Sequence, residues 1–292
     1  MSVAADSVQR LDRRSVERFL PELDAWLLPG SVWSVQHTWP QLYRSDGDGA
    51  FFAILDGDRL LSHCACRVVT LRDHGADHPV GLLGSVATAP DHRGRGLATR
   101  VLEAALDHLA PHTDAVLLWA ERPELYRRRG FVDSAADRCL LLARRPRREA
   151  PALRLATVAD HAALHALHER KPQRVARSFH EMSALLTTPG LTTVVLDRGG
   201  DVTAYACTGK AADLGGHWHE LGGDDDELAE LLPAALHLAG QTEAALLLPP
   251  YRPRLAELLH DHVVGEVDVP GPMVRATRRR PERCWVDGLD SV

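Results

Sequence analysis

The stretch that decides the fold is GLLGSVATAPDHRGRGLATRVLEAALDHL, residues 81–109. Its first part, Leu82–Thr88, predicts a strand that ends before Pro90, because proline cannot extend a ladder of backbone hydrogen bonds. A loop with two glycines follows, and apolar residues at helical spacing then predict a helix over Leu97–Leu109. The segment is therefore a strand, a glycine loop and a helix in succession.

The loop between this strand and helix has the features of an anion site. Gly94 and Gly96 let the backbone approach a ligand closely, and the helix start adds free N–H donors and the positive end of the helix dipole. Arg93 and Arg95 add positive charge at the same place. The residues indicate a phosphate or pyrophosphate site. The Walker loop is excluded because no lysine is near, and the dinucleotide fingerprint is excluded because Thr99 stands where it needs glycine.

The same segment resembles motif A of the GNAT N-acetyltransferase superfamily, [Q/R]-x-x-G-x-[G/A] after a strand that ends in V-x-x-x-P. The motif positions and the upstream pair are filled by Arg93, Gly96, Ala98, Val86 and Pro90. A second element, LYRRRGF at Leu125–Phe131, is similar to the L-Y-x-x-x-G-F element that follows the fifth strand in many members. The resemblance covers residues 14–144 well and the second half only in outline.

The resemblance implies acetyl-CoA as co-substrate, without a metal, and transfer of its acetyl group to an amine. It implies that backbone and side-chain groups at the matching positions hold acetyl-CoA: Val86, Ala87, Thr88, Arg93, Gly94, Arg95, Gly96, Leu97, Ala98 and Thr99. It also implies that Tyr126 protonates the departing thiolate, which a phenol can do when the site assists. Packing beside Phe131 is the other interpretation of Tyr126.

The sequence does not identify the base that takes a proton from the amine. Many family members carry a glutamate in the fourth strand, but the equivalent stretch here, residues 82–85, reads LLGS and has no carboxylate. Glu121, at the end of the next predicted strand, is the nearest candidate. A chain of water molecules is an equal alternative.

The second half of the chain repeats the order of predicted elements found in the first half. Its 292 residues suggest two domains. Hairpins with short turns are predicted at Phe51–Leu71 and Thr192–Cys207, and each precedes a helix, an apolar strand and a short Arg/Leu helix. We expect an α/β (α+β) protein of two tandem GNAT-like domains, residues 1–148 and 149–292, each a mixed, mostly antiparallel sheet flanked by helices. A single large mixed domain is the alternative.

The second copy differs from the first at the position that corresponds to the phosphate loop. Residues 219–232 read HELGGDDDELAELL, with four acids at Asp224–Glu227. These acids suit a helix N-terminus but repel a pyrophosphate. We therefore expect a catalytic first domain and a degenerate second one that completes the acceptor pocket, holds a dimer or binds another ligand.

Composition limits the partners and the compartment. The net charge of −6 argues against nucleic acid, and no apolar run or export signal indicates a membrane or secretion, so a reduced cytoplasm is expected. Trp33 and Trp119 are candidates for an aromatic wall around the amine. Trp33 belongs to a cluster with Trp26, Trp39 and Tyr43, which falls where the resemblance places a helix-loop-helix over the acceptor. Helix packing is the alternative for this cluster. Histidines at HWHE (217–220) and at 161, 165 and 168 lack a legible set of further ligands, and no metal is predicted.

These observations favour an N-acetyltransferase that moves an acetyl group to a primary amine of a small molecule or peptide, by direct attack in a ternary complex. Homodimerisation is a further possibility. The alternative is a non-catalytic sensor that binds acyl-CoA, which the missing strand carboxylate favours. A longer acyl donor is also open, because sequence does not give the depth of the pocket.

Overall fold

Two separate β-sheets with helices against them make up the protein in a computed structural model, which describes residues 7–44, 47–145, 152–278 and 285–292. The strands are β1 (Val8–Leu11), β2 (Ala50–Asp56), β3 (Arg59–Asp73), β4 (Ala76–Thr88), β5 (Ala115–Leu118), β6 (Val132–Asp133), β7 (Asp137–Ala143), β8 (Leu153–Leu155), β9 (Gln173–Val175), β10 (Thr192–Arg198), β11 (Asp201–Lys210), β12 (Asp213–Gly222), β13 (Glu243–Leu248), β14 (Val263–Val269) and β15 (Met273–Ala276). The helices are α1 (Arg13–Glu17), α2 (Leu20–Leu27), α3 (Val35–Thr38), α4 (Pro40–Tyr43), α5 (Leu97–Leu109), α6 (Pro123–Arg127), α7 (His161–Glu169), α8 (Phe179–Leu185), α9 (Asp225–Leu238) and α10 (Pro253–Leu258). Within these residues no helix has both the length and the apolar character needed to cross a bilayer.

The two sheets repeat one plan. The first runs β1-β2-β3-β4-β5-β15-β6 with β9 paired to β3, and the second runs β14-β7-β13-β12-β11-β10-β8. Each is mostly antiparallel and contains a parallel pair, β4 with β5 in the first and β12 with β13 in the second. The predicted class, a mixed and mostly antiparallel sheet flanked by helices in each half, is confirmed.

Turn and helix patterns in the sequence predicted the positions of the main strands and helices correctly. The D-G turn predicted the β2–β3 hairpin, in which Gly57 takes a left-handed φ of +58°. The helix α5 has the predicted bounds. The helix α9 begins at Asp225, inside the run of four acids that was expected to suit a helix N-terminus, because acidic side chains are favourable in a first helical turn.

The sheets exchange strands. The strand β7, from the first half, pairs with β13, and β15, from the second half, pairs with β5. Each exchange covers an edge that the parallel pair would otherwise leave open. The predicted division at residue 148 lies outside the described residues and stays a prediction, but each sheet takes strands from both sides of it.

Each sheet buries one long helix. In the first half, Val101 and Leu102 of α5 pack in a core that includes Cys64 and Cys66. In the second half, Leu228 of α9 packs in a core with Trp218. Full burial of one such side chain stabilises the fold by about 1.5–3 kcal/mol. These cores fix where each helix begins relative to its sheet.

Candidate active site

A cleft of about 1040 Å³ opens where β4 and β5 separate. The register of the two parallel strands ends at the pair Leu82 and Leu117. Beyond that pair, β4 carries an extra residue against β3, and Ser85 takes a left-handed φ of +52°. A bulge of this kind bends a strand, so β4 diverges from β5 and leaves a gap at the start of α5.

The glycine loop borders this cleft as an open cradle. Gly94 and Gly96 both have φ of +76°, and no atom of the described residues lies within 4 Å of the position that a Cβ would occupy at either. Gly96 is the N-cap residue of α5, and none of the described side chains caps this helix. The first N–H groups of α5 therefore have no side-chain acceptor, which is the arrangement that binds an anion.

The predicted donor-site residues lie together, with one exception. The cleft is lined by Val86, Ala87, Thr88, Arg93, Gly94, Gly96, Leu97, Ala98 and Thr99. Arg95 is not in the lining, and its Nη2 donates to the carbonyl of Asp91 at 3.4 Å. Arg122, which sequence reasoning did not single out, does line the cleft, so two exposed arginines, Arg93 and Arg122, are in its lining.

Tyr126 lies in the same cleft and contacts its floor. Its ring meets Phe131 edge-on, at 6.0 Å between centroids and 77° between planes, so the packing role is present. The cleft also reaches its side chain, and no described residue hydrogen-bonds its hydroxyl. Burial raises the pKa of Tyr126, and the charges of Cys64 and Glu121 raise it further. The phenol therefore holds its proton at neutral pH.

Glu121 is exposed and lines the cleft near Tyr126. It follows β5, on the side of the cleft opposite the bulge of β4. At the bulge itself, Leu83, Gly84 and Ser85 line the cleft without a carboxylate, as the sequence indicated. The cleft therefore has a carboxylate on its β5 side and none on its β4 side.

The lining of the cleft is also rich in tryptophan and contains further carboxylates. Four of the six tryptophans line the cleft: Trp26, Trp39, Trp119 and Trp285. The predicted Trp119 is among them, but Trp33 lies outside the lining, where its ring meets His37 at 6.0 Å. Asp137 and Asp213 also line the cleft. Sequence reasoning missed both aspartates because each begins a strand that is distant in the chain from the motif.

The second half reaches into the cleft of the first. The strand ends near Asp213 and Val269 contribute to the lining, and so does the segment 285–292. Val292 lies against the bulge of β4: a Cβ at Gly84 would stand 2.5 Å from the Val292 carbonyl carbon. The second half therefore forms part of the site, and the alternative that it completes the acceptor pocket gains structural support.

The equivalent helix start in the second half is closed to an anion. Asp225 at the start of α9 pairs with Arg252 at 2.5 Å, and Asp226 pairs with Arg254 at 2.6 Å. Arg252 also donates to the carbonyl of Gly223 at 3.0 Å. Acids occupy the first turn, and Arg252 and Arg254 each pair with one of them.

The histidines singled out in the sequence have protein partners. His219 is buried and lies with Nε2 3.0 Å from the carbonyl of Gly209, and burial lowers its pKa to about 4. His168, Glu220 and Asp287 offer three ligand atoms within 4.8 Å of one another. The ammonium of Lys171 already contacts both carboxylates, at 2.5 Å and 2.9 Å. This cluster is therefore an ion network with its own cation.

Comparison with known proteins agrees with this geometry. Residues 28–132 match the family model described as an acetyltransferase (GNAT) domain. A search of the curated proteins finds no significant match.

Solved structures extend the likeness to both halves. A probable N-acyltransferase from Enterococcus faecalis V583 has a TM-score of 0.73 at 14% identity, over 93% of this chain and 73% of that one. A GCN5-related N-acetyltransferase from Kribbella flavida has a TM-score of 0.64 at 17% identity, over 95% and 73%. Eis1 from Mycobacterium abscessus has a TM-score of 0.63 at 17% identity, over 93% and 74%. At these identities the likeness establishes a shared fold, and the predicted tandem arrangement is confirmed at that level.

Proposed function

We propose that this chain, whose residues 28–132 match the model of a GNAT acetyltransferase domain and whose second half repeats the fold, moves an acetyl group from acetyl-CoA to a primary amine. The observation that carries the proposal is the open helix start at Gly96, which borders a cleft whose lining also contains tryptophans and carboxylates. A phosphate-bearing donor suits the open helix start, and a cationic amine suits the tryptophans and carboxylates.

Acetyl-CoA fits the residues present. The open space at Gly94 and Gly96 leaves room for a pyrophosphate against the backbone, and Arg93 and Arg122 supply charge beside it. The end of β4, Val86–Thr88, offers backbone groups along the cleft for the pantetheine arm. When bound, acetyl-CoA supplies an activated acetyl group as a thioester.

Tyr126 acts as the proposed acid. Because its pKa is raised by burial, its hydroxyl carries a proton that it can donate to the departing sulfur. Glu121 is the proposed proton acceptor for the amine, directly or through water molecules. The two groups lie on the same side of the cleft, so the proton taken from the amine is released close to the acid that needs it.

The proposed acceptor is a small molecule or peptide that carries a primary amine and further positive charge. Tryptophan faces attract cations, and carboxylates pair with them. Trp119 and Trp285 supply such faces, and Asp137 and Asp213 supply the charge. The four described cysteines are free and buried, which suits the reducing compartment proposed from the sequence.

The test pairs acetyl-CoA calorimetry with a thiol-release assay over a panel of mono-amines, polyamines and basic peptides. We expect binding in the absence of amine and release of the thiol with cationic amines. Binding without release on any amine would support the alternative, a sensor of acyl-CoA, which the missing carboxylate at Leu83–Ser85 favours. Release with propionyl-CoA or longer donors at an equal rate would widen the donor class.

A further inference from the structure

The chain holds only two lysines among its 34 basic residues, Lys171 and Lys210. Lysine is almost always exposed in proteins, yet Lys171 is 2% exposed and Lys210 is 0% exposed. A chain that uses arginine nearly everywhere thus places both its lysines where an ammonium is costly to bury.

Both lysines contact one short segment, residues 285–292. Lys210 Nζ donates to the carbonyls of Gly288 and Ser291, at 2.9 Å and 2.7 Å, and to the Ser291 hydroxyl at 2.9 Å. Lys171 Nζ donates to the Asp287 carboxylate at 2.9 Å. These three oxygens match the three N–H donors of an ammonium. The carboxylate of Asp213, which lines the cleft, lies 3.9 Å from the same Nζ.

A third cation holds the same segment. Arg177 Nε donates to both oxygens of Asp290 at 3.1 Å, and its Nη1 and Nη2 donate to Glu220 at 3.1 Å and 2.9 Å. Glu220 also accepts from Lys171. The segment is thus tied to the second half by buried charged groups.

The other side of the segment faces the first half. Gln41 Nε2 donates to the carbonyl of Ser291 at 2.7 Å. Trp285, Val286 and Val292 line the cleft, and Val292 lies against Gly84 at the bulge of β4. The segment therefore connects the ion network of the second half to the wall of the cleft in the first.

Residues 285–292 contain no helix or strand. The Gly288 N–H donates to the carbonyl of His219 at 3.2 Å, and side-chain contacts hold the rest of the segment. Buried ionic networks commonly add little net stability, because desolvation offsets the attraction, but removal of one partner leaves an uncompensated group. Such a network suits the placing of a segment better than the strengthening of a core. The hydrophobic core of the second half, which includes Leu228 and Trp218, is separate from it.

We propose that Lys171 and Lys210 are positioning residues that hold residues 285–292 as the amine-side wall of the cleft. The inference rests on the proposed function. It also assigns the degenerate half a task, because that half supplies both lysines. Among the described residues, the phosphate loop at Arg93–Thr99 makes no hydrogen bond or ion pair with the segment, so the donor site should not depend on the lysines.

The first experiment compares Lys210→Met with Arg252→Met. Both changes remove a buried cation of the second half, but Arg252 contacts Asp225 and Gly223 and does not contact the segment. We expect Lys210→Met to raise the KM for the amine about tenfold, with the KM for acetyl-CoA changed less than twofold. Arg252→Met should change neither KM. An equal rise in both KM values in Lys210→Met, or a matching rise for the amine in Arg252→Met, overturns the proposal.

A second variant keeps the test decisive if Lys210→Met does not fold. Ser291→Ala removes one of the three acceptors at a half-buried position. It should raise the KM for the amine about threefold alone, and add little in the Lys210→Met background, because both changes break the same contact. No effect of Ser291→Ala on the amine KM, in a folded protein, contradicts the proposal.

Hydrogen exchange separates this inference from the proposed function. The backbone amides of residues 285–292 should exchange faster in Lys210→Met than in the wild type or in Arg252→Met. If no amine releases thiol, the proposed function fails, yet this exchange measurement still decides whether the lysines hold the segment. Unchanged exchange in Lys210→Met overturns the positioning role even if the enzyme is active.

Discussion

The starts of α5 and α9 are the same structural position in two copies of one fold, and they have opposite chemistry. At α5, Gly94 and Gly96 leave open space, and arginines lie beside the helix dipole. At α9, acids fill the first turn, and Arg252 covers them. In the second copy, a Cβ at Gly223 would already stand 2.7 Å from the Cβ of Ala204. A fold can therefore be kept while its anion site is lost, because acidic side chains stabilise the positive end of a helix as a bound phosphate does.

The largest expected effect tests whether the first copy performs the chemistry. Tyr126→Phe should lower kcat on the order of 100-fold, since general acid catalysis by one group contributes at least this much. Acetyl-CoA affinity should stay within twofold. The matched control is Tyr251→Phe, at a half-buried tyrosine of the second half that does not line the cleft. Equal turnover in Tyr126→Phe and the wild type would remove the acid role and leave the ring as a packing group.

A second change tests the open cradle. Gly96→Ala should weaken acetyl-CoA binding about 30-fold, because the added Cβ enters the space left for the phosphate and the left-handed φ is strained. Gly199→Ala is the control: its φ is +73° and its Cβ position is equally open, but it lies in the β10–β11 turn. Calorimetry with acetyl-CoA measures both. Similar losses in the two variants would mean that strain, and not a lost cradle, explains the result.

A third change compares the arginines beside the two helices. Arg93→Gln should weaken acetyl-CoA binding about fivefold to tenfold, with a smaller effect at high salt, because an exposed charge–phosphate contact is screened. Arg254→Gln, which breaks the pair with Asp226 at the start of α9, should leave acetyl-CoA affinity unchanged. A titration series from low to high ionic strength measures both. If Arg254→Gln weakens acetyl-CoA binding as much as Arg93→Gln does, the claim that only the start of α5 binds the phosphate is wrong.

The smallest expected effect is a loss of stability at low pH, to which one buried histidine in each half should contribute about equally. Burial lowers the pKa of His63 in the first half and of His219 in the second to about 4. Between pH 6.5 and 4 the unfolded chain binds protons that the folded chain does not, so the free energy of unfolding falls as pH falls, by up to about 1.4 kcal/mol per pH unit per histidine. Denaturant unfolding at pH 7 and pH 5 measures this loss. His63→Gln and His219→Gln should each remove one histidine's share, and an unchanged slope in either would contradict its buried neutral state.

The sequence predicted the donor side of the site far better than the acceptor side. The strand, loop and helix around Gly96 are contiguous, so their spacing alone predicted α5 with the correct bounds. Asp137, Asp213 and Trp285 reach the cleft through strands and a segment that are distant in the chain. No local pattern reports an exchange of strands between two sheets. Trp33 shows the converse, since it was chosen for its place in the sequence and lies outside the lining.

The sequence contains only two lysines, and that rarity alone gives them no role. Their role depends on burial and on contacts across more than 70 residues, which only the fold supplies: Lys210 reaches Ser291, and Lys171 reaches Asp287. The rarity of lysine in the sequence draws attention to these two residues. Their role follows only from the structure, in which both contact residues 285–292.

The most direct test of the account is the number of acetyl-CoA molecules that one chain binds. The account predicts a single site per chain by calorimetry, weakened strongly in Gly96→Ala and unaffected by Arg254→Gln. Two sites of similar affinity, or binding that survives Gly96→Ala undiminished, would contradict the claim that the donor site belongs to the first copy alone.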